Sequence, residues 1–291
     1  KYTLLVDSTP SLTTVNNADV NDVEAVLDPL KREFDVCFYN VENLFDNLND
    51  GAGDWGDWAP GYPTSGSAAG LTAYQAHVNE TADVVVDGAH GCMIIGLEEM
   101  EGKQAVYNAL ATAMNAHPNA GGRTWTAIYV ESGDARDISQ GFLYRNDVTL
   151  LSGPTPVSGA PYTTWVSGGT LDFRRVPAAA KFRLFTGKAT QTDITVYALH
   201  FKSKGSSTSC TTPDCTDIRE LEAADLRDIL MHHQNAVPVE YAIAGGDFND
   251  YIVSSPINIL NAEAGIWSLW RELNLADQGS YIFNGESEVL D

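Results

Sequence analysis

The chain has 291 residues, of which 44% are hydrophobic and 19% are charged. This composition suits one large α/β or β-sandwich domain and excludes a disordered polymer. Seventeen basic against 39 acidic residues give a net charge of −22, which keeps a protein soluble and repels polyanions at long range. A bound divalent cation reverses the local field at a phosphate, so the charge alone does not exclude nucleic-acid binding. No apolar run reaches the ~20 residues of a membrane span.

Residues 1–33 contain a short strand-like stretch followed by Ser, Thr, Asn and Asp. We expect this segment to be a lead-in or linker that follows an upstream domain of the full-length protein. The first residue is Lys rather than Met, which is typical of a processed or excised piece.

Strands and helices alternate along the rest of the chain. Strands are predicted at 34–39, 93–97, 124–130, 141–145, 148–151, 178–186, 194–200 and 241–244. Helices are predicted at 72–86, 103–116 and 217–232, the last with its core face formed by Leu221, Ala224, Leu226 and Leu230. Segments 46–70 and 153–169 are rich in Gly, Pro and Ser and predict long loops. Polar residues recur at the carboxyl ends of strands, where α/β proteins place their sites.

The four cysteines form two pairs with different settings. Cys210 and Cys215 flank a polar Thr-Thr-Pro-Asp loop, which favours a local disulfide over two exposed thiols. Cys37 and Cys92 lie in apolar runs, where buried free thiols are the default and a bridge requires neighbouring strands. The pattern favours an oxidising compartment.

Two polar segments follow the first predicted strands. Strand alternation in Asn-Val-Glu-Asn at 40–43 would point Asn40 and Glu42 to the same side, although a turn rich in Asn fits as well. Glu98 and Glu99 end the strand at 93–97. Paired carboxylates at such a position either cap the next helix or bind a hard cation through oxygen.

Two more segments follow later strands. His200 ends the strand at 194–200; a lone histidine there is more often packed than catalytic, but Lys202 and Lys204 follow at alternate positions and could meet a phosphate. In Gly-Asp-Phe-Asn-Asp at 246–250, Asp247 and Asn249 alternate to one side. That pair suits holding an attacking water beside a phosphoryl oxygen, and a hairpin turn is the alternative.

Together these segments resemble the ordered motifs of the endonuclease/exonuclease/phosphatase superfamily, which includes deoxyribonuclease I. Arg-Val-Pro at 175–177 is similar to that family's Arg-x-Pro strand. Segment 280–291 resembles the large extracellular bacterial nucleases more closely than the eukaryotic ones. The resemblance implies that 34–291 is the catalytic domain. Its fold would be a four-layer α-β-β-α sandwich of two mainly antiparallel sheets, C-terminally incomplete, and a doubly wound parallel sheet is the alternative.

The resemblance also implies roles for single residues. Glu99 would be the principal ligand of Mg²⁺, with Mn²⁺ or Ca²⁺ as alternatives, and Glu42 a second carboxylate near the metal. Asn40 and Asn249 would hydrogen-bond phosphate oxygens, and Asp247 would orient the water. His200 would bind the phosphoryl group or act as an acid.

The basic residues and the chain end complete these expectations. Arg175 would contact the phosphate, with Arg174 as the competing residue. Lys202 would also bind the substrate. Asp291 resembles a carboxylate that orients a later histidine, the family's general base. This chain stops before that histidine, so we expect an incomplete catalytic set and an inactive enzyme without it.

The leading hypothesis is a secreted bacterial nuclease, extracellular or at the cell surface. It would depend on a divalent metal and act on DNA, with RNA as a further candidate substrate. The second is a phosphatase or phosphodiesterase for a small phosphoester or lipid head group, which the charge of −22 fits equally well. The third is a binding module that keeps the fold without catalysis.

Overall fold

The structure is a computed structural model that describes residues 3–6, 12–15, 33–49, 65–205, 207–269, 281–283 and 286–288. The strands are β1 (Thr3–Val6), β2 (Leu12–Val15), β3 (Glu33–Leu44), β4 (Ile94–Glu101), β5 (Trp125–Val130), β6 (Ile138–Arg145), β7 (Thr149–Pro156), β8 (Ala178–Leu184), β9 (Thr192–His200), β10 (Tyr241–Asp247), β11 (Tyr281–Phe283) and β12 (Glu286–Glu288). The α-helices are α1 (Ala68–Asp83), α2 (Gln104–Ala116), α3 (Thr216–Gln234) and α4 (Ser255–Asn261). In the part of the chain that is described, no helix is long and apolar enough to cross a bilayer.

The strands form two large mixed sheets and one small hairpin. The first sheet has the order β2-β1-β3-β4-β6-β5, in which only β3 and β4 are parallel. The second has the order β10-β9-β8-β7, in which only β9 and β10 are parallel. The predicted pair of mainly antiparallel sheets is therefore confirmed, and the doubly wound parallel alternative is wrong. Two strands from the predicted lead-in, β1 and β2, extend the first sheet beside β3.

Three apolar clusters separate the four layers. The central cluster fills the space between the sheets and includes Ile94, Phe142, Ala178, Ala180, Phe182, Val196 and Ala198. A second lies between the first sheet and helices α1 and α2, and a third between the second sheet and helices α3 and α4. Strand alternation sends successive residues into different clusters: Ile94 faces the other sheet, whereas Ile95 faces the helices.

The sheets approach closely around the ring of Phe38, because glycines face it from both sides. A Cβ built on Gly96 would lie 2.5 Å from Phe38 Cδ1, and one on Gly245 would overlap the same ring. These close contacts are possible only because Gly96 and Gly245 have no side chain. They bring the carboxyl ends of β4 and β10 together.

Gly245→Ala should lower the free energy of unfolding by about 1–3 kcal/mol, because the added methyl overpacks the contact between the sheets. Gly88→Ala is the matched control, since a Cβ there meets only Val84 Cγ1, at 4.0 Å. Urea denaturation measures both. A Gly245→Ala protein as stable as the wild type would show that Phe38 can move aside at no cost.

Both cysteine pairs are disulfides. The local Cys210–Cys215 bridge is confirmed, with the Cα atoms 5.0 Å apart. The default of free thiols at Cys37 and Cys92 is wrong: these two residues are bonded, with the Cα atoms 6.1 Å apart. Cys37 lies in β3 and Cys92 just precedes β4, its parallel neighbour, so the condition for a bridge is met.

The inner face of α3 differs from the prediction. Leu221, expected inside, is 47% exposed, whereas Arg219, Glu222 and Asp225 are buried. The acidic residues accept hydrogen bonds from the backbone of loops that cross the helix, which hydrophobic periodicity cannot reveal.

Candidate functional site

The polar strand ends meet at one edge of the sandwich. In the first sheet the parallel strands β3 and β4 place Asn40 opposite Glu98, and in the second β9 and β10 place His200 opposite Asp247. Strand β10 packs against β3 and β4, so the two pairs of carboxyl ends adjoin.

Four predicted residues converge across this boundary. Asn40 Nδ2 donates to Asp247 Oδ2 at 3.1 Å. His200 Nε2 lies 3.6 Å from Glu99 Oε1 and 3.8 Å from Asp247 Oδ2. The structure thus brings Asn40, Glu99, His200 and Asp247 together, although they are distant in sequence.

Asn249 joins this group through the turn after β10. Its backbone N–H donates to Asp247 Oδ1 at 2.7 Å, and its side-chain Nδ2 donates to the carbonyl of Phe201 at 3.1 Å. Both oxygens of Asp247 therefore accept a hydrogen bond, which fixes the orientation of the carboxylate. The backbone of Asn249 has a φ of 51°, a left-handed conformation that asparagine tolerates better than most residues.

An irregularity in β4 turns Glu99 towards the site. The pairing of β4 with β6 shifts between Leu97 and Met100, and Glu99 has a φ of 61°. Glu98 points between the sheets and is fully buried; its Oε1 would lie 2.7 Å from a Cβ built on Gly246. Gly246 has a φ of 131°, so glycine is needed there on conformational grounds as well.

The backbone N–H of Glu42 donates to Asn40 Oδ1 at 3.0 Å, but among the described contacts none joins the Glu42 carboxylate to Glu99, His200 or Asp247. A register shift between Asn40 and Leu44, with positive φ at Glu42 and Asn43, ends the alternation that predicted a shared side. Glu42 is exposed, and its described electrostatic neighbours are Tyr39 and His77. The geometry gives the predicted second metal ligand no support.

Burial dominates the ionisation of the central residues. It raises the pKa of Glu99, against the opposing effect of Arg136 and Arg175, and it also raises the pKa of Asp247. Burial lowers the pKa of His200 well below its ordinary value, and the two arginines act in the same direction. Burial therefore favours the neutral form of the His200 imidazole, which can donate a hydrogen bond.

Basic side chains surround these groups. Arg175 is buried, with Nε donating to Asp134 Oδ2 at 2.9 Å and Nη1 donating to the carbonyl of Phe201 at 2.6 Å. Its competitor Arg174 is exposed. Lys202 Nζ donates to the carbonyl of Ser203 at 3.0 Å. Asp291 lies outside the described residues.

Arg136 belongs to the site and is absent from the sequence prediction. Its Nη2 lies 3.4 Å from Glu99 Oε1. The only signal in the sequence is a basic residue in the acidic segment Gly-Asp-Ala-Arg-Asp before a predicted strand, a pattern equally typical of a solvated turn.

The oxygen donors suit a hard divalent cation. No group of three or more His, Cys, Asp or Glu within the described ranges could hold a metal as a protein-only cage. Mg²⁺ does not need one, because it binds through one or two carboxylates and keeps several waters. The Glu99 carboxylate, with Asp247 and the Asn40 amide nearby, fits that requirement.

Helix α3 supports the site through hydrogen bonds to the side chain of Glu222. Its Oε1 accepts from the backbone N–H of Arg174 at 2.9 Å and its Oε2 from that of Lys202 at 2.8 Å. Burial raises the pKa of Glu222 to about 7, and these hydrogen bonds only partly oppose the rise.

Glu222→Gln should flatten the dependence of stability on pH. The pKa of Glu222 is 4.5 in the unfolded protein and about 7 in the folded protein. The folded protein therefore binds more protons at a pH between these two values. The stabilisation is complete below pH 4.5 and is lost as the pH rises through 7, amounting to up to about 3 kcal/mol. Denaturant unfolding from pH 4 to 8 measures it. In Glu222→Gln a smaller dependence of stability on pH should remain, with the same sign, because the pKa of Asp225 is also raised, to about 6. The same dependence in the wild type and in Glu222→Gln would contradict the raised pKa of Glu222.

One protein-family model covers most of the chain. Residues 35–291 match the sequence model of the endonuclease/exonuclease/phosphatase family. No curated protein sequence matches the chain. A solved endonuclease/exonuclease/phosphatase from Bacteroides vulgatus is 17% identical, with a TM-score of 0.45, over 79% of this chain and 70% of that one.

Two further solved structures are similar at a comparable level. A family protein from Bacteroides thetaiotaomicron is 14% identical, with a TM-score of 0.43, over 77% of this chain and 66% of that one. The human nocturnin catalytic domain is 14% identical, with a TM-score of 0.43, over 65% of this chain and 62% of that one. The chain spans about two thirds of the length of each of the three structures. Since the family model matches from residue 35 to residue 291, this chain belongs to the endonuclease/exonuclease/phosphatase family of hydrolases.

Proposed function

We propose that the protein is a divalent-metal-dependent phosphodiester hydrolase, a nuclease that acts on DNA. The observation that carries this proposal is the contact between the sheets. Asn40 binds Asp247, and His200 lies within 3.8 Å of both Glu99 and Asp247. A carboxylate with both oxygens held, beside a neutral imidazole and a second carboxylate, suits hydrolysis of a phosphoester.

Asp247, His200 and Glu99 would each have a separate role in the hydrolysis. Asp247 would accept a hydrogen bond from the attacking water, with its orientation set by the donors from Asn40 and Asn249. His200, neutral through burial, would donate a hydrogen bond to a phosphoryl oxygen. Mg²⁺ held by Glu99 would supply charge neutralisation for the phosphoryl group.

We also propose that the protein is secreted by a bacterium and works outside the cell or at its surface. The two disulfides support this location, because such bonds persist in oxidising compartments and are rare in the cytosol.

A second function is a phosphatase or phosphodiesterase for a small phosphoester. The net charge of −22 favours it, since a polyanion is repelled at long range whereas a small ester meets only the local field.

The two functions separate in one experiment with the full-length protein. The proposal expects supercoiled plasmid to be nicked with Mg²⁺ and to stay intact with EDTA. Intact plasmid together with phosphate release from a small monoester would replace the nuclease by the second function. Turnover of neither substrate, by a protein that still binds DNA, would favour a non-catalytic binding module.

A further inference from the structure

Arg136 reaches the central carboxylate from the loop between β5 and β6. Its Nη2 lies 3.4 Å from Glu99 Oε1, and its Nη1 lies 3.4 Å from Asn43 Oδ1. The side chain is 17% exposed, so part of it reaches solvent near Glu99.

Asp134 anchors the other end of this guanidinium. Its Oδ1 accepts from the backbone N–H of Arg136 at 2.8 Å and lies 3.4 Å from Arg136 Nε. Its Oδ2 accepts from Arg175 Nε at 2.9 Å. One carboxylate thus bridges two arginines and directs the Nη atoms of Arg136 towards Glu99.

The other cations of the site also contact protein groups. Arg175 is 6% exposed, and its Nη1 donates to a backbone carbonyl at 2.6 Å. Lys202 Nζ donates to the carbonyl of Ser203 at 3.0 Å. Lys204 Nζ lies 3.8 Å from Asp250 Oδ1 and 3.1 Å from the centre of the Tyr251 ring.

We infer that Arg136, rather than Arg175, contacts the non-bridging oxygens of the scissile phosphate; this inference rests on the proposed function. A guanidinium presents paired N–H donors in a plane that matches two phosphate oxygens. The contacts of Arg136 with Glu99 and Asn43 are at the long limit of hydrogen bonding, so a phosphate can replace them at small cost. In a protein with a charge of −22, this local cation also offsets the repulsion of an anionic substrate.

The test is the binding of inorganic phosphate in the presence of Mn²⁺, measured by calorimetry, together with KM for a small phosphodiester. Arg136→Gln should weaken phosphate binding about tenfold to 100-fold, with a matching rise in KM. Arg136→Lys should fall between that variant and the wild type, because lysine keeps the charge but loses the fork. The affinity for Mn²⁺ should stay the same or increase, because Glu99 loses a competing cation.

Arg183→Gln is the matched control. Arg183 pairs with Asp193 at 2.7 Å, and the register of β8 with β9 places it at the opposite end of the second sheet from His200. Arg183→Gln removes the same charge as Arg136→Gln. The affinity for phosphate should nevertheless change less than about twofold, because salt screens distant exposed charges.

Three results would overturn the inference. The first is unchanged phosphate affinity in Arg136→Gln with tighter Mn²⁺ binding, which would make Arg136 only a counter-ion of Glu99. The second is loss of phosphate affinity in a folded Arg175→Lys variant but not in Arg136→Gln, and the third is a wild-type protein that binds no phosphate. A wild type that binds phosphate but cleaves no phosphodiester would instead contradict the proposed function, and the binding comparison would still decide the role of Arg136.

Discussion

Glu99→Gln should reduce phosphodiester hydrolysis about 1,000-fold and remove measurable binding of Mn²⁺. The substitution keeps the shape of the side chain but removes the negative charge that a hard cation requires. Charge neutralisation by a bound metal stabilises a phosphoryl transition state by several kcal/mol, and about 4 kcal/mol corresponds to this loss of rate. Plasmid nicking and Mn²⁺ titration calorimetry measure the two effects separately.

Glu80→Gln is the control for Glu99→Gln. Glu80 is exposed in α1, on the outer layer of the sandwich, so its loss changes the net charge by the same amount away from the site. This variant should keep the activity and the Mn²⁺ affinity of the wild type. If Glu99→Gln also kept both while remaining folded, Glu99 could not be the principal metal ligand.

The sequence predicted the elements of the sandwich well, because their patterns reflect burial. The helix expected at 103–116 is α2 at Gln104–Ala116, and the strand expected at 124–130 is β5 at Trp125–Val130. In such segments the hydrophobic periodicity directly reports which face is covered. The predicted loop at 46–70 falls largely outside the described residues, and its end forms the first turn of α1.

Prediction failed where the backbone leaves regular geometry. Residues 42, 43 and 99 have positive φ beside register shifts, and alternation along the sequence cannot show a shift. The prediction that places the Glu42 carboxylate near the metal rested on that alternation, so the register shift leaves it without support. Arg136 was missed because the seven-residue loop 131–137 carries it to Glu99, and only tertiary structure fixes where such a loop leads.

The polar inner face of α3 was missed for a different reason. Buried acidic residues are rare unless paired, so periodicity favoured leucines at positions such as 221. Glu222 and Asp225 accept hydrogen bonds from backbone N–H groups of distant loops, and Arg219 on the same helix pairs with Asp250 after β10. The helix therefore serves as a polar support for the site as well as a cover for the second sheet.

Arg219→Met should lower the free energy of unfolding by about 3–5 kcal/mol, because it leaves a buried carboxylate without its main partner. Arg219 is fully buried, and its Nε donates to Asp250 Oδ2 at 2.7 Å. Asp250 is 5% exposed, and its other described cation, Lys204, lies 3.8 Å from Oδ1. Thermal and urea unfolding measure the loss.

The double variant Arg219→Met/Asp250→Asn distinguishes this ion pair from simple packing. Removing both charges should recover part of the stability lost by Arg219→Met, because a paired removal leaves no uncompensated charge. Losses that simply add would show that the two side chains are not coupled. Asp250 follows Asn249, whose backbone N–H holds Asp247, so the ion pair also fixes the turn that orients the proposed water-binding carboxylate. A double variant that is folded but slower than the wild type would therefore indicate that α3 holds the site in its working geometry through this pair.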